Sequence, residues 1–559
     1  MSDQIFLILE PRGQTEADVC MASGVLAHRA GRMAGADLEY RRCLRLDPSH
    51  ALCLNNRALL YASAGDWNEA LLAAERASIL APREAMIFAN WAFLCLASGR
   101  TDEALRHGHR AVQLDPSGLT CRAAASICLA AGMVPEAMDL FDLALHHDPE
   151  NQIAAVSACF AQSLTDDGPE QFLARRRTVY EKFCGRLPKC VLKQKDPRSV
   201  LKVGYVSGDF KTHSASAIFR AVVLRHSRNV EAYLYSAAEP EKPDPITDLF
   251  KRAAGKRWRS IAGVQDFQAV KIIQQDDIDI LVDLSAHSTG GRLGIFARKP
   301  APVQVTAWGF ALGTGLPEID WFFADPVTVP ERERTHFAEK IWDLPCIMTL
   351  DKSYMDGLGN SPVIPFHSNG RITFGCFGRH QKISDSYLRA VFLIMRENLD
   401  SDVFFRDYSF RNPDAMRRVL HALSGIHSGR IKFASGPDSL EHVQACQQCD
   451  IMLDPFPHTG GVSSAEQLFM GVPIITRYGK NVAGRLTASL LTAIGREEWI
   501  AADETEYVAK AVSLSRDVPA VEAARKSLRK DFLRSSAMAG YVDRVEDAFF
   551  GMWKKYLEA

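Results

Sequence analysis

Asp454-Pro-Phe-Pro-His-Thr-Gly-Gly-Val-Ser-Ser-Ala-Glu-Gln-Leu-Phe-Met-Gly-Val-Pro473 leaves an apolar strand over 450–454 and turns through a glycine-containing loop. It then enters a helix and meets a glycine before a new strand over 472–476. Strand, loop, helix and strand at this spacing build a parallel sheet, whose ligand loops lie at the carboxyl ends of the strands. Thr459, Gly460 and Gly461 come just before the helix start, where unpaired N–H groups and the helix dipole suit a phosphate. Glu466 follows Ser463 by three residues, close enough to the helix start to reach a ribose diol. Ser463-x-x-Glu466 also reads as a capping box.

The same alternation extends outward. Strands over 372–377, 402–406 and 430–434, separated by helical segments, place a second α/β lobe over 370–535, with a helix over 536–559. A first lobe over 198–355 carries a strand at 200–206, a polar loop at 207–214 and a helix at 216–224. A helix at 265–275, a strand at 278–284 and a loop at 285–291 follow. Loops after these strands carry candidate chemistry. Phe377-Gly-Arg-His-Gln-Lys382 ends on a lysine that either neutralises a leaving diphosphate or is an ordinary surface charge. His213, in Gly208-Asp-Phe-Lys-Thr-His213, stands where an imidazole can orient or deprotonate a hydroxyl. His287 repeats the pattern as a possible active-site loop residue; either histidine also reads as incidental.

Ahead of the lobes the sequence repeats. Pro48, Pro82, Pro116 and Pro149 are spaced 34, 34 and 33 residues apart, tracked by Gly31, Gly65, Gly99 and Gly132 and by Ala36, Ala70, Ala104 and Ala137. Each unit is a helix pair with glycine at the turn, alanine at the close approach and proline ending the second helix. The pattern resembles the tetratricopeptide repeat over 17–150, with a helical connection over 151–197. Such arrays bind protein or peptide on a concave face, or act only as spacers. Asn56 and Asn90 share one repeat position, where either could grip a peptide backbone. The basic run Arg175–Arg177 reads as a solvated helix face.

The totals agree with a multidomain globular chain: 559 residues, 47% hydrophobic and 24% charged. Lys+Arg 66 against Asp+Glu 67 leaves a net charge of -1, so no global charge favours nucleic acid or a membrane. The short apolar run Ile5–Leu9 lacks the features of a secretory signal, and the 13 cysteines form no framework. Cys446 and Cys449 read as buried thiols, and the expected compartment is the reducing cytoplasm.

The runs VGYVSGDFKTHS, ILVDLSAHSTGGRLGIFARKPAPVQVTAWGF, FGCFGRHQK, LEHVQACQQCDIMLDPFP and EQLFMGVP, in that order, resemble the protein O-GlcNAc transferases and their plant relatives of the Spindly type. With the repeats, the likeness covers nearly the whole chain. It implies a tetratricopeptide array followed by a two-lobe (type B) glycosyltransferase region. It also implies inverting transfer of a sugar from a nucleotide donor to Ser or Thr hydroxyls, with no metal and no cofactor beyond the donor. On that pattern Lys382 holds the diphosphate, His442 stacks on the base, Glu466 binds the ribose and His213 is a general-base candidate. Arg379, Thr459, Gly460, Gly461 and Ser463 complete the donor loops. The animal enzymes carry a histidine and two threonines where Gly461, Val462 and Ser463 stand, a glutamine at Arg379 and a tyrosine at His287. The expected donor is UDP-GlcNAc; alternatives are GDP-fucose, which some plant relatives use, and a repeat scaffold whose lobes only sense nucleotide.

Overall fold

The computed structural model describes residues 7–192, 194–240, 242–310, 312–359, 361–436 and 439–559, so Ile5 and Phe6 of the apolar run lie outside the described residues. Two compact units are present: Met1–Ala161 with Arg411–Arg418, and Gln162–Phe410 with Val419–Ala559.

In the first unit, α1 (Glu16–Arg29), α2 (Met33–Leu46), α3 (Ala51–Ser63), α4 (Trp67–Leu80), α5 (Ala85–Ala97), α6 (Thr101–Leu114), α7 (Gly118–Ala130) and α8 (Val134–His147) pack as consecutive pairs. The turn glycines Gly31, Gly65, Gly99 and Gly132 sit at φ 71, 81, 83 and 80°, left-handed backbone that strains any residue with a Cβ. Ala36, Ala70, Ala104 and Ala137 are each 0% exposed, so nothing larger than a methyl fits between the paired helices. A larger side chain there overpacks at a cost of about 1–3 kcal/mol. Among the described residues of this unit, two groupings of metal-ligating types occur, Cys95 with Glu103 and His107, and His109 with Cys128 and Glu136. Packing and pairing account for both histidines: His107 stacks on Trp91 at 3.6 Å and His109 pairs with Glu136 at 2.7 Å.

α9 (Gln152–Gln162) and α10 (Pro169–Phe183) lead on from the repeats. The reading of Arg175–Arg177 as a solvated face is corrected at its centre. Arg176 is buried, donates to the Leu312 carbonyl at 2.9 Å and lies between the Phe172 and Phe310 rings.

The second unit holds two parallel sheets. Strands β1 (Leu201–Ser207), β2 (Val230–Ser236), β3 (Trp258–Ser260), β4 (Ile280–Asp283), β5 (Val303–Thr306), β6 (Trp321–Ala324) and β7 (Lys340–Asp343) run in the order β3-β2-β1-β4-β5-β6-β7. Strands β8 (Ile372–Cys376), β9 (Ser401–Arg406), β10 (Ile431–Ala434), β11 (Ile451–Leu453), β12 (Ile474–Arg477) and β13 (Ile500–Ala501) run β10-β9-β8-β11-β12-β13. The order reverses between β1 and β4 and again between β8 and β11. These switch points are where open α/β sheets form ligand crevices, and the loops singled out in the sequence follow these four strands.

The C-terminal helix Tyr541–Leu557 returns to the first sheet. Its Glu546 carboxylate accepts from His226 Nδ1 at 2.9 Å, Ser227 N at 2.7 Å and Ser227 Oγ at 2.6 Å. Tyr541 accepts from Trp308 Nε1 and donates to the Ile347 carbonyl, each at 3.0 Å. The cysteines are free thiols, all but Cys190 buried. No helix among the described residues is long and apolar enough to cross a membrane.

Candidate active site

Three loops separated widely in sequence are joined by side-chain contacts at the ends of β1, β8 and β11. Arg379, after β8, donates to Ser214 Oγ at the start of the helix Ser214–Val223 at 2.9 Å, and so ties the β8 loop to the β1 loop. Lys382, in the same β8 loop, donates to the Thr459 carbonyl at 2.7 Å and so meets the β11 loop. Burial lowers the Lys382 ammonium to about 7, with the Arg379 charge adding to the shift and Asp454 opposing it. A cation held this way lacks a full counter-charge and suits an anionic ligand.

Asp454 shapes the β11 loop. It is buried, accepts from Gly460 N at 2.7 Å and from Thr476 Oγ1 at 2.6 Å, and turns the chain back toward the helix Val462–Phe469. A Cβ at position 460 would lie 2.0 Å from Ser464 Oγ and 2.9 Å from Asp454 Oδ1, so any larger residue there would have to push these two side chains aside. The expected phosphate loop is thereby corrected in detail. The Gly460 N–H is taken by Asp454, and both the N–H and the hydroxyl of Thr459 go to the Ala483 carbonyl, at 3.0 and 2.8 Å. Thr459 contributes its carbonyl to Lys382 instead. Gly461 is the N-cap and no side chain caps the helix, which leaves the first-turn N–H groups to an anion.

Ser463 lies inside this helix rather than at its cap, so Ser463 and Glu466 form no capping box. Glu466 instead accepts from the hydroxyl of Tyr354, which follows β7. Burial pushes the Glu466 carboxyl up to about 7, against the Tyr354 hydrogen bond, which lowers it. His442, on the helix Ser439–Ala445, lies 5.3 Å from the Phe377 ring. Its imidazole is lowered to about 4 by burial and then by Arg406, with Asp407 opposing, so it is neutral and suited to stacking.

His213 caps the helix Ser214–Val223, its Nδ1 accepting from Ala215 N at 3.2 Å, with Asp209 Oδ2 3.5 Å away. Burial lowers its pKa, opposed by Asp209 and aided by Arg379 and Lys211. A neutral ring whose Nδ1 accepts carries its proton on Nε2. In this tautomer Nε2 offers a donor; it is a base only in the other tautomer, with Nδ1–H directed at Asp209. His287 is corrected more fully. It is 1% exposed, meets the Thr314 carbonyl through Nε2 at 2.8 Å, and is held down to about 3 by burial and the nearby Arg176. It is a neutral interior histidine, not a residue of an open loop.

Residues 185–355 and 367–540 match glycosyl transferase family 41. The chain belongs to that family. This family 41 chain is 31% identical over 427 residues to the probable UDP-N-acetylglucosamine–peptide N-acetylglucosaminyltransferase SPINDLY of Solanum lycopersicum, covering 74% of the chain and 45% of the relative. Against the Caenorhabditis elegans UDP-N-acetylglucosamine–peptide N-acetylglucosaminyltransferase it is 22% identical over 473 residues, covering 64% and 41%. It therefore spans less than half the length of these curated relatives. Among solved structures it resembles a mutant O-GlcNAc transferase of Thermobaculum terrenum, with TM-score 0.76, 25% identity and coverage of 98% of this chain and 99% of that one.

Sequence reasoning about the candidate site of this family 41 chain missed four side chains. Asp454 stood in view as a strand end but carried no sign of its loop-shaping role. His458 shares the β11 loop; its Nδ1 meets the Ser163 carbonyl at 3.0 Å, and burial followed by the Lys382 charge holds it well below the ordinary histidine range. Tyr354 and Asp209 gain their roles only through contacts, Tyr354 across 112 residues of sequence.

Proposed function

We propose that this protein transfers N-acetylglucosamine from UDP-GlcNAc to Ser or Thr hydroxyls of proteins, with inversion and without a metal ion. The observation that carries the reading is Lys382, a desolvated ammonium hydrogen-bonded to the β11 loop beside an uncapped helix start. Its charge and the helix N–H groups stabilise the diphosphate as the bond from its β-phosphate oxygen to the sugar C1 breaks. The acceptor oxygen bonds to C1 from the opposite face. His213, with its Nε2–H outward of the cap, orients the reacting groups; it takes the acceptor proton only in the other tautomer, with Nε2 free and Nδ1–H directed at Asp209, which holds the resulting imidazolium. His442 and Glu466 suit the base and the ribose, and the repeat array binds the protein acceptor. The matched relatives' names support the reaction class.

A second reading keeps the chemistry and changes the donor to GDP-fucose. Arg379 favours it, since an arginine replaces the glutamine of the animal enzymes and is engaged with Ser214. Calorimetry with UDP, GDP and their sugars in EDTA decides between them. UDP-GlcNAc binding and turnover in EDTA supports the first reading, and preference for the GDP sugar the second. A strict need for Mg or Mn contradicts the proposed charge arrangement.

A further inference from the structure

The two repeat asparagines already hold a peptide backbone, and it is the chain's own. Asn90 accepts from Leu7 N at 3.0 Å and donates to the Leu7 carbonyl at 2.9 Å. Asn56 accepts from Leu9 N at 2.8 Å and donates to the Leu9 carbonyl at 2.7 Å. Each amide thus makes the paired bonds that a neighbouring β-strand would make, at residues i and i+2 of an extended segment. Asn55 joins the set, donating to Asn56 Oδ1 and accepting from Asn90 Nδ2, each at 3.2 Å. All three asparagines are at most 1% exposed. Ile8 and Leu9 rest half-buried on the array's apolar clusters, while Arg12 pairs with Glu84 at 2.7 Å and Glu10 with Arg29.

The clamps recognise N–H and C=O groups rather than side chains, so they do not select residues 7–10 by sequence. Any extended segment with two unblocked amides at i and i+2 and an apolar residue between them satisfies the same groups. We propose that residues 7–10 are an intramolecular occupant of a main-chain-reading groove, and that an extended peptide of another protein binds there only by displacing them. This extends the acceptor-binding reading of the array, but its test needs no transfer activity and can fail independently of that reading. A tethered occupant acts at an effective concentration on the order of millimolar, so a resident segment whose own affinity is on the order of 0.1 mM weakens any competing peptide by roughly tenfold.

The probe is a labelled synthetic peptide with the sequence of residues 4–12, titrated by anisotropy against the full chain. Leu7→Pro with Leu9→Pro removes the two clamped N–H groups from the resident segment. Peptide affinity is expected to rise at least tenfold in this double variant, and to fall back by tenfold or more when Asn56→Ala and Asn90→Ala are added. Equal affinity in the natural and double-variant chains, or binding indifferent to the asparagines, overturns the proposal. A readout on the natural chain covers the case in which the variants fail to fold. Hydrogen exchange at Leu7 and Leu9 is expected to accelerate as peptide saturates. Unchanged protection at saturating peptide overturns the displacement.

Discussion

The Lys382 charge makes donor binding depend on pH with a definite sign. In the free protein burial lowers this ammonium to about 7, so only a minority of molecules carries the proton at pH 8 and fewer still at pH 9. A bound diphosphate favours the charged form and raises the pKa. Through the lysine alone, binding takes up a proton, is favoured below pH 7, and weakens by up to tenfold per pH unit until the pKa of the complex is reached. Glu466, raised to about 7, acts in the opposite direction if its ionised form binds the ribose, and the two effects offset each other near neutrality. Above pH 8 Glu466 is mostly ionised, so of these two groups the lysine sets the slope. Affinity for UDP-GlcNAc is thus expected to fall roughly five- to tenfold between pH 8 and pH 9, with roughly half to one proton taken up per ligand at pH 8. Calorimetry in buffers of different ionisation enthalpy measures both quantities. Lys382→Met should bind weakly with no slope over this interval, and Glu466→Gln should show the lysine slope from pH 7 upward. An affinity constant within twofold from pH 8 to pH 9 in the natural chain, or the same slope in Lys382→Met, refutes the reasoning.

Lys382→Ala nearly abolishes single-turnover transfer, and Lys382→Arg leaves it at least about tenfold down because a planar guanidinium does not reproduce the ammonium geometry. His213→Asn keeps a capping side chain and His213→Ala loses about 1 kcal/mol of helix capping, so denaturation separates the variants while both lower transfer by about 10- to 100-fold. Tyr354→Phe removes a hydrogen bond that lowers the Glu466 pKa, so nucleotide affinity drops severalfold relative to the natural chain at pH 7 and recovers relative to it by pH 8.5. Burial pushes Glu546 up, but hydrogen bonds from His226 and Ser227 outweigh it and bring the carboxyl to about 2. This carboxylate's stabilisation, about 3 kcal/mol at most, is complete above its ordinary pKa and is lost as pH falls toward 2. Urea titration should show Glu546→Gln about 1–3 kcal/mol less stable at pH 7 and nearly equal to the natural chain near pH 2.

Local chemistry made much of this protein legible before any coordinates. The repeat register rests on backbone requirements that a sequence displays directly: a left-handed turn needs glycine, a close helix approach needs alanine, and a helix stop tolerates proline. The α/β alternation is visible for a similar reason, since buried parallel strands are short apolar runs and the loops after them are polar. Lys382 and Glu466 could be singled out because each sits at a fixed distance from a helix start.

What remained hidden depends on partners far away in the chain. His213 and His287 look alike as loop histidines after strands, yet one caps a helix beside Asp209 and the other is sealed against Thr314 and Arg176. Ser463-x-x-Glu466 has the spacing of a capping box, but the helix begins at Val462 with Gly461 as its cap, and Tyr354 claims the carboxylate. The asparagines show a capacity to hold a backbone, and only the fold reveals that residues 7–9 occupy it. Periodicity and turn chemistry are properties of neighbouring residues and are written in order. Desolvation, hydrogen-bond competition and the choice of tautomer depend on which distant groups the chain brings together, and those the tertiary structure alone decides.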